Sequence, residues 1–373
     1  MNGIFMIRVA FIKEDMYNPA GMERVLSIIA NALSEYFDIH IITYLQDDKS
    51  DAYYLKPQIN RIKLKLENCN SNIKSDCYKI LNQHLISAKY DVVVSMGGLE
   101  SSGLTNIKDG SKKILWYHFS YDIYYNVLDT KRGLKSYIWK HLHTWYRSYI
   151  ANKYDKVVVL CNEDKRKWSR FCRNVEYIYN PLTINTSRIS SCDKKIAIAV
   201  GRLDYQKGFD YLIDAWDLVH KKHPDWKLNI WGEGGLREML QKQIDSNGLT
   251  DVISLCGNTS DIESKYLESS LLICSSRSEA FGLMIAEAES CGLPIITYAC
   301  PSAPKEIVED NRNGYVIPKV GDTETMAECI DRFIENSMLR KKMGNESKQI
   351  SDRFSIETIT SKWLELINGL VND

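Results

Sequence analysis

Two short stretches hold residue types that can manage a diphosphate and a sugar. The first, Glu279-Ala-Phe-Gly-Leu-Met-Ile-Ala-Glu287, follows the apolar run 271–274 and the polar turn 275–278. A helix is predicted to start near Gly282, so Glu279 falls just before it and Glu287 in its second turn. The free N–H groups and the dipole of such a helix end favour phosphate. The two carboxylates accept hydrogen bonds from hydroxyl groups, as a sugar or a ribose requires. The second stretch is Gly201-Arg-Leu-Asp-Tyr-Gln-Lys-Gly208, between a predicted strand and a predicted helix. Its glycines permit a tight turn. Arg202 and Lys207 suit diphosphate oxygens as a fork donor and a point charge. Each stretch alone also fits a plainer account, a helix start beside an acid or a solvated loop with two cations.

Three further features are weaker. Trp231-Gly-Glu-Gly-Gly235 holds part of a dinucleotide fingerprint without the full G-x-G-x-x-G spacing, so a tight turn is the preferred reading. Asn18-Pro-Ala-Gly-Met22 joins the first strand to the first helix, where Gly21 lets an acceptor or phosphate come close. His118, in Trp116-Tyr-His-Phe-Ser120, follows a predicted strand at its carboxyl end, where open α/β sheets bind ligands. A structural histidine fits that position as well.

The elements that must position these residues are short apolar runs alternating with longer periodic segments. Strands are predicted at 7–12, 39–44, 91–95, 114–117, 156–160 and 175–179, and the pattern restarts at 196–200, 228–231, 252–255, 271–274 and 294–297. Helices are predicted at 21–36, 209–220 and 236–245. This alternation implies parallel strands with helical crossovers. The polar stretch 185–195 has linker composition. The expected fold is therefore α/β, two doubly wound Rossmann-like domains facing a central cleft. Their expected extents are 1–188 and 189–353, with a C-terminal helix at 354–373 packing back on the first domain.

The chain of 373 residues is long enough for two such domains, and its 44% hydrophobic and 26% charged content is that of an ordinary globular protein. The 48 basic and 48 acidic side chains cancel, so no global field draws the chain to nucleic acid. None of the ten cysteines forms C-x-x-C or a zinc-type spacing with histidine. Cys161, Cys256 and Cys274 sit in or beside apolar runs, as buried free thiols do in a reducing compartment. The N-terminus reads as a first strand rather than a signal peptide, and no apolar run approaches a membrane span. A cytoplasmic location is expected.

Taken together, these residues resemble the family-4 group of GT-B glycosyltransferases over nearly the whole chain. The resemblance rests on G-x-E-R-V at 21–25, His118, Asn180-Pro181, the loop 201–208, the Glu279/Glu287 pair, 301–307 and Asn313-Gly-Tyr-Val316. It implies a retaining transferase using a nucleotide sugar, UDP-linked before GDP-linked. The sugar is a hexose or N-acetylhexosamine, and the setting bacterial surface-polysaccharide synthesis. It implies catalytic roles for His118, Glu279, Arg202 and Lys207. It implies donor binding by Gly21, Arg202, Lys207, Glu279, Phe281, Gly282, Leu283 and Glu287. Arg202 and Lys207 would hold the diphosphate, Glu279 and His118 the sugar, and Glu287 the ribose. No cofactor is expected, since the nucleotide sugar is a substrate. The chain has no D-x-D pair, so no metal is expected either. Many relatives carry two glycines where this chain has Ala20-Gly21, which bears on how closely that loop approaches phosphate.

Residues 130–154 contain Lys131, Arg132, Lys135, Lys140, Arg147 and Lys153, no acid, and six interleaved Tyr and Trp. Leu134, Ile138, Leu142 and Trp145 recur at helical spacing. This pattern suits a helix lying on anionic lipid, and equally a packed helix with solvated charges. The lipid reading would place the protein peripherally on the inner face of the cell membrane, with a polyprenyl-diphosphate-linked glycan acceptor. Competing readings are a GT-B nucleotide-sugar epimerase, a non-catalytic sugar-nucleotide-binding partner and, more distantly, an NAD-dependent oxidoreductase.

Overall fold

The computed structural model describes residues 6–66, 73–123, 133–184 and 186–372. The start of the N-terminal reading (1–5), Lys131, Arg132 and Asn185 lie outside them. The chain divides into two units, one comprising Met1–Tyr121, Tyr137–Thr183 and Ser355–Asp373, the other Asp122–Ser136 and Ile184–Phe354.

The first unit is a parallel sheet of seven strands: β1 (Arg8–Lys13), β2 (Asp38–Thr43), β3 (Asn60–Lys63), β4 (Val92–Ser95), β5 (Lys112–Trp116), β6 (Lys156–Val159) and β7 (Val175–Tyr177). Their order is β3-β2-β1-β4-β5-β6-β7. Its helices are α1 (Gly21–Leu33), α2 (Ile73–Ala88), α3 (Leu134–Ala151), which begins in the other unit, and α4 (Asn162–Trp168). The second unit is a parallel sheet in the order β10-β9-β8-β11-β12-β13. Its strands are β8 (Ile196–Val200), β9 (Lys227–Trp231), β10 (Ile253–Gly257), β11 (Leu271–Cys274), β12 (Ile295–Tyr298) and β13 (Gly314–Ile317). Its helices are α5 (Phe209–His220), α6 (Arg237–Ser246), α7 (Ile262–Leu267), α8 (Leu283–Ser290), α9 (Pro304–Ile307), α10 (Thr323–Glu335) and α11 (Ser337–Ser351). The last helix, α12 (Ile356–Asn372), packs on α1 in the first unit. Central strands such as β4 and β11 are buried along their whole length, which is why they read as unbroken apolar runs.

Three readings need correction. β3, Asn-Arg-Ile-Lys, escaped prediction because it is an edge strand with a polar composition; Arg61 in it binds Asp51. The stretch 186–195 is no loose linker. Ser190 donates to the Ser269 carbonyl, and Arg340 reaches the carbonyl of the buried Cys192 at 2.8 Å. Ser190 thus satisfies buried backbone, while Ser187–Ile189, Ser191 and Asp193–Lys195 stay exposed. Cys256 is only partly buried, because it sits where the β10 register shifts; the nine described cysteines are all free. Among the described residues, no helix is long and apolar enough to cross a membrane.

Trp363 of α12 anchors the C-terminal segment. It is fully buried, edge-on to Trp116 at 4.8 Å and to Phe11 at 6.4 Å. Trp363→Ala should cost about 3–5 kcal/mol in denaturant unfolding, the range for emptying a large aromatic site. A loss below about 1 kcal/mol would show that α12 is not part of this core.

Candidate functional site

The strand order of the second unit's sheet reverses between β8 and β11. Crossovers leave these neighbours toward opposite sides, so the loops beyond their carboxyl ends frame a crevice. Those loops are 201–208 and 275–282, the two stretches singled out in the sequence.

The loops are joined by several independent contacts. Gly208 adopts φ 62°, and a Cβ there would lie 2.3 Å from the Ser275 carbonyl oxygen, so no larger residue fits. The backbone N–H of Arg277 donates to the Gln206 carbonyl at 2.8 Å, and the Gln206 side chain donates to the Ser278 carbonyl at 2.8 Å. The Arg277 guanidinium grips Asp210 with both terminal nitrogens, at 2.9 and 2.5 Å. It also lies over the rings of Tyr205 and Tyr211, at 4.1 and 4.0 Å from their centroids. The pattern is the bidentate, stacked geometry only arginine supplies.

This junction brings Lys207 and Glu279 together at 2.5 Å, with 14% and 8% of their side chains exposed. The Ser276 hydroxyl donates to the same carboxylate oxygen, Oε1, at 2.7 Å. Burial alone would lower the Lys207 pKa, but the adjacent Glu279 carboxylate outweighs it and holds the ammonium above its usual value. Lys207 is therefore a fixed cation at neutral pH. Arg202 is not brought to this pair. It is 75% exposed and pairs with Asp204 of its own loop at 3.1 Å.

Gly282 caps α8 in the left-handed region with φ 88°, and Leu283 is the first helical residue. The Phe281 ring is buried edge-on against Phe354 at 5.5 Å, so its side chain is a packing element. Glu287 lies one turn into α8, nearly buried, and accepts from the Tyr266 hydroxyl at 2.9 Å. The turn 231–235 packs backbone to backbone on the cationic loop. A Cβ at Gly232 would stand 2.0 Å from the Gly201 carbonyl oxygen, and the Leu203 N–H donates to the Glu233 carbonyl. That motif supports the loop, as the tight-turn reading requires.

In the first unit, His118 follows β5, buried against Trp116 with ring centroids 4.5 Å apart. Burial, then the nearby Lys13 charge, pushes its pKa from 6.5 down to about 3. The imidazole is thus neutral, and its Nε2 has no hydrogen-bonding partner among the described residues. Lys13 ends β1 and pairs with Glu23 of α1 at 2.6 Å, both nearly buried. The remaining Glu23 oxygen, Oε2, also lacks a partner among the described residues. Gly21 is the exposed first residue of α1, whose N-cap, Ala20, supplies no side-chain hydrogen bond.

The sequence reading passed over Arg277, Asp210, Tyr266, Ser276, Lys13 and Glu23 as functional supports. Ser276 and Arg277 lie in the polar turn 275–278, and Glu23 in the G-x-E-R-V motif. Nothing in the spacing told that Arg277 would meet Asp210 across 67 positions.

Residues 186–350 match the family described as Glycosyl transferases group 1. The chain is 28% identical over 375 residues to an uncharacterized glycosyltransferase of Haemophilus influenzae, covering 96% of this chain and 99% of that one. It is 25% identical over 380 residues to the amylovoran biosynthesis glycosyltransferase AmsD of Erwinia amylovora, covering 97% and 100%. Its fold matches a crystal structure of an S. aureus TarM mutant in complex with Fondaparinux, alpha-GlcNAc-glycerol and UDP. The TM-score is 0.78 at 16% identity, covering 97% of this chain and 100% of that one. The fold is GT-B.

The depressed His118 pKa has a stability consequence. Between pH 6.5 and about 3 the unfolded chain binds a proton at this site that the folded chain does not, so the site's contribution is full above 6.5 and lost as pH falls. His118→Gln should therefore lose less stability than the parent between pH 7 and 4, by on the order of 3 kcal/mol. Parallel pH curves for the two proteins in denaturant unfolding would refute a neutral, buried imidazole.

Proposed function

We propose that the chain, whose residues 186–350 match Glycosyl transferases group 1 and whose fold is GT-B, is a retaining glycosyltransferase using a UDP-sugar. The transferred group is a hexose or N-acetylhexosamine, and the acceptor a glycan in bacterial surface-polysaccharide synthesis, linked to polyprenyl diphosphate at the inner face of the membrane. The observation that carries this reading is Lys207, held charged by Glu279 at the carboxyl end of β8 and beside the loop that starts α8. The polysaccharide setting is supported by the name of AmsD, and the uridine base by the UDP in the TarM complex.

The chemistry follows from where charge develops. The bond from the anomeric carbon to the diphosphate oxygen breaks, and that oxygen gains negative charge. Lys207, Arg202 and the first N–H groups of α8 stabilise it, cations filling the role of a divalent metal. The acceptor hydroxyl attacks from the face the diphosphate leaves, its proton passing to the departing phosphate oxygen, so configuration is kept. Both hydrogen bonds on Glu279 fall on Oε1, which fits a sugar hydroxyl donating to Oε2. Glu287 takes the ribose. Gly21 opens α1 to a phosphate or the acceptor.

A panel of UDP- and GDP-sugars should raise the melting temperature selectively, with one UDP-sugar strongest. Lys207→Met should lower kcat/KM for transfer by about 10²–10³, while the double variant Lys207→Met/Glu279→Gln controls for an uncompensated carboxylate. Undiminished transfer by Lys207→Met, or no stabilisation by any nucleotide sugar, would overturn the reading.

A further inference from the structure

Helix α3 is amphipathic in the opposite sense from a packed surface helix. Its buried positions are Thr144, Ser148 and Ala151. Arg147 also turns inward, donating to the Tyr117 hydroxyl at 2.6 Å and the Tyr121 carbonyl at 2.8 Å, with its guanidinium over the Trp168 ring. The large apolar side chains face out. Leu134, Leu142 and Trp145 are 74%, 60% and 61% exposed, and Ile138, Tyr146 and Tyr149 are about half exposed. A helix in contact only with protein and water places these residues the other way round. A contiguous exposed patch of this kind marks an interaction surface.

The chemistry of the patch names its partner. Lys135, Leu142 and Tyr149 recur every seven residues and so share one stripe, and Lys153 lies over the Tyr149 ring at 4.5 Å. A cation therefore brackets each end of the apolar stripe, and no Asp or Glu occurs from 133 to 154. Trp145 stacks on Tyr149 with centroids 5.8 Å apart. Trp and Tyr rings with flanking lysines suit the boundary between headgroups and acyl chains. Protein–protein interfaces favour the same aromatics but are depleted in lysine.

We propose that α3 is a membrane-docking element, lying flat in the headgroup region of an anionic bilayer with the Leu134–Tyr149 stripe inserted and Lys135 and Lys153 on lipid phosphates. This surface is independent of the donor-site reading, since no residue of the stripe belongs to the site. The test is flotation of the full chain with vesicles of phosphatidylglycerol mixed with phosphatidylcholine, against pure phosphatidylcholine. Binding should favour the anionic vesicles by roughly tenfold or more, weaken with added salt and blue-shift the tryptophan emission. Leu142→Ser/Trp145→Ser should lose about tenfold or more of this binding with an unchanged melting temperature, because both side chains are already in water. Lys135→Glu/Lys153→Glu should abolish the preference for anionic lipid. Equal binding to neutral vesicles, no binding, or binding untouched by both double variants would overturn the proposal. So would a concentration-dependent dimer in sedimentation that Trp145→Ser dissolves without vesicle binding, since a second copy of the chain would then cover the stripe.

Discussion

The close approach of Gly208 to the Ser275 carbonyl is the constraint from which the rest of the crevice geometry in the second unit follows. A parallel sheet that reverses order between β8 and β11 sets their two loops side by side but does not join them. Joining requires one backbone to touch another, and only a residue without Cβ permits it. Once the loops touch, Arg277 can grip Asp210 and Lys207 can reach Glu279. A buried ion pair offsets its desolvation only with good geometry and further hydrogen bonds. The Ser276 hydroxyl, on Glu279 Oε1 at 2.7 Å, supplies one of them. The stabilisation and the chemistry thus have the same source.

The two units solve the problem of a buried cation differently. In the second, Lys207 meets a carboxylate and a hydroxyl and stays charged. In the first, Lys13 meets Glu23, and the charge of this lysine helps keep His118 neutral. That arrangement leaves Glu23 Oε2 and His118 Nε2 unpartnered among the described residues. Each such orphan costs about 1–3 kcal/mol relative to a bonded group.

The strands and the paired loops were legible because parallel strands buried on both faces must be written as apolar runs, and tight strand-to-helix turns as glycine. The α8 start at Gly282 follows from the same logic. Apart from β13, whose Gly-Tyr-Val run enters only as part of the family resemblance, what escaped depends on tertiary pairing. β3 has no apolar pattern, because an edge strand need not be buried. The stretch 186–195 looked like a linker, because side chains that bond buried backbone are the same types that bond water. Tyr266 carries no local sign that its hydroxyl ends on Glu287.

Helix α3 shows the same limit in its sharpest form. Periodicity reveals that Leu134, Ile138, Leu142 and Trp145 share a face, but a period has no direction. The direction is decided by Arg147, whose position between Tyr117, Tyr121 and Trp168 satisfies a guanidinium that a lipid or aqueous face would leave without fixed partners. With Arg147 turned in, helical geometry leaves Trp145 and Tyr149 nowhere to go but out. Two lysines at the ends of the same face would be a liability in a protein core and are an asset against phosphate. The side chain that looked like one more surface cation is therefore the one that orients the whole amphipathic element.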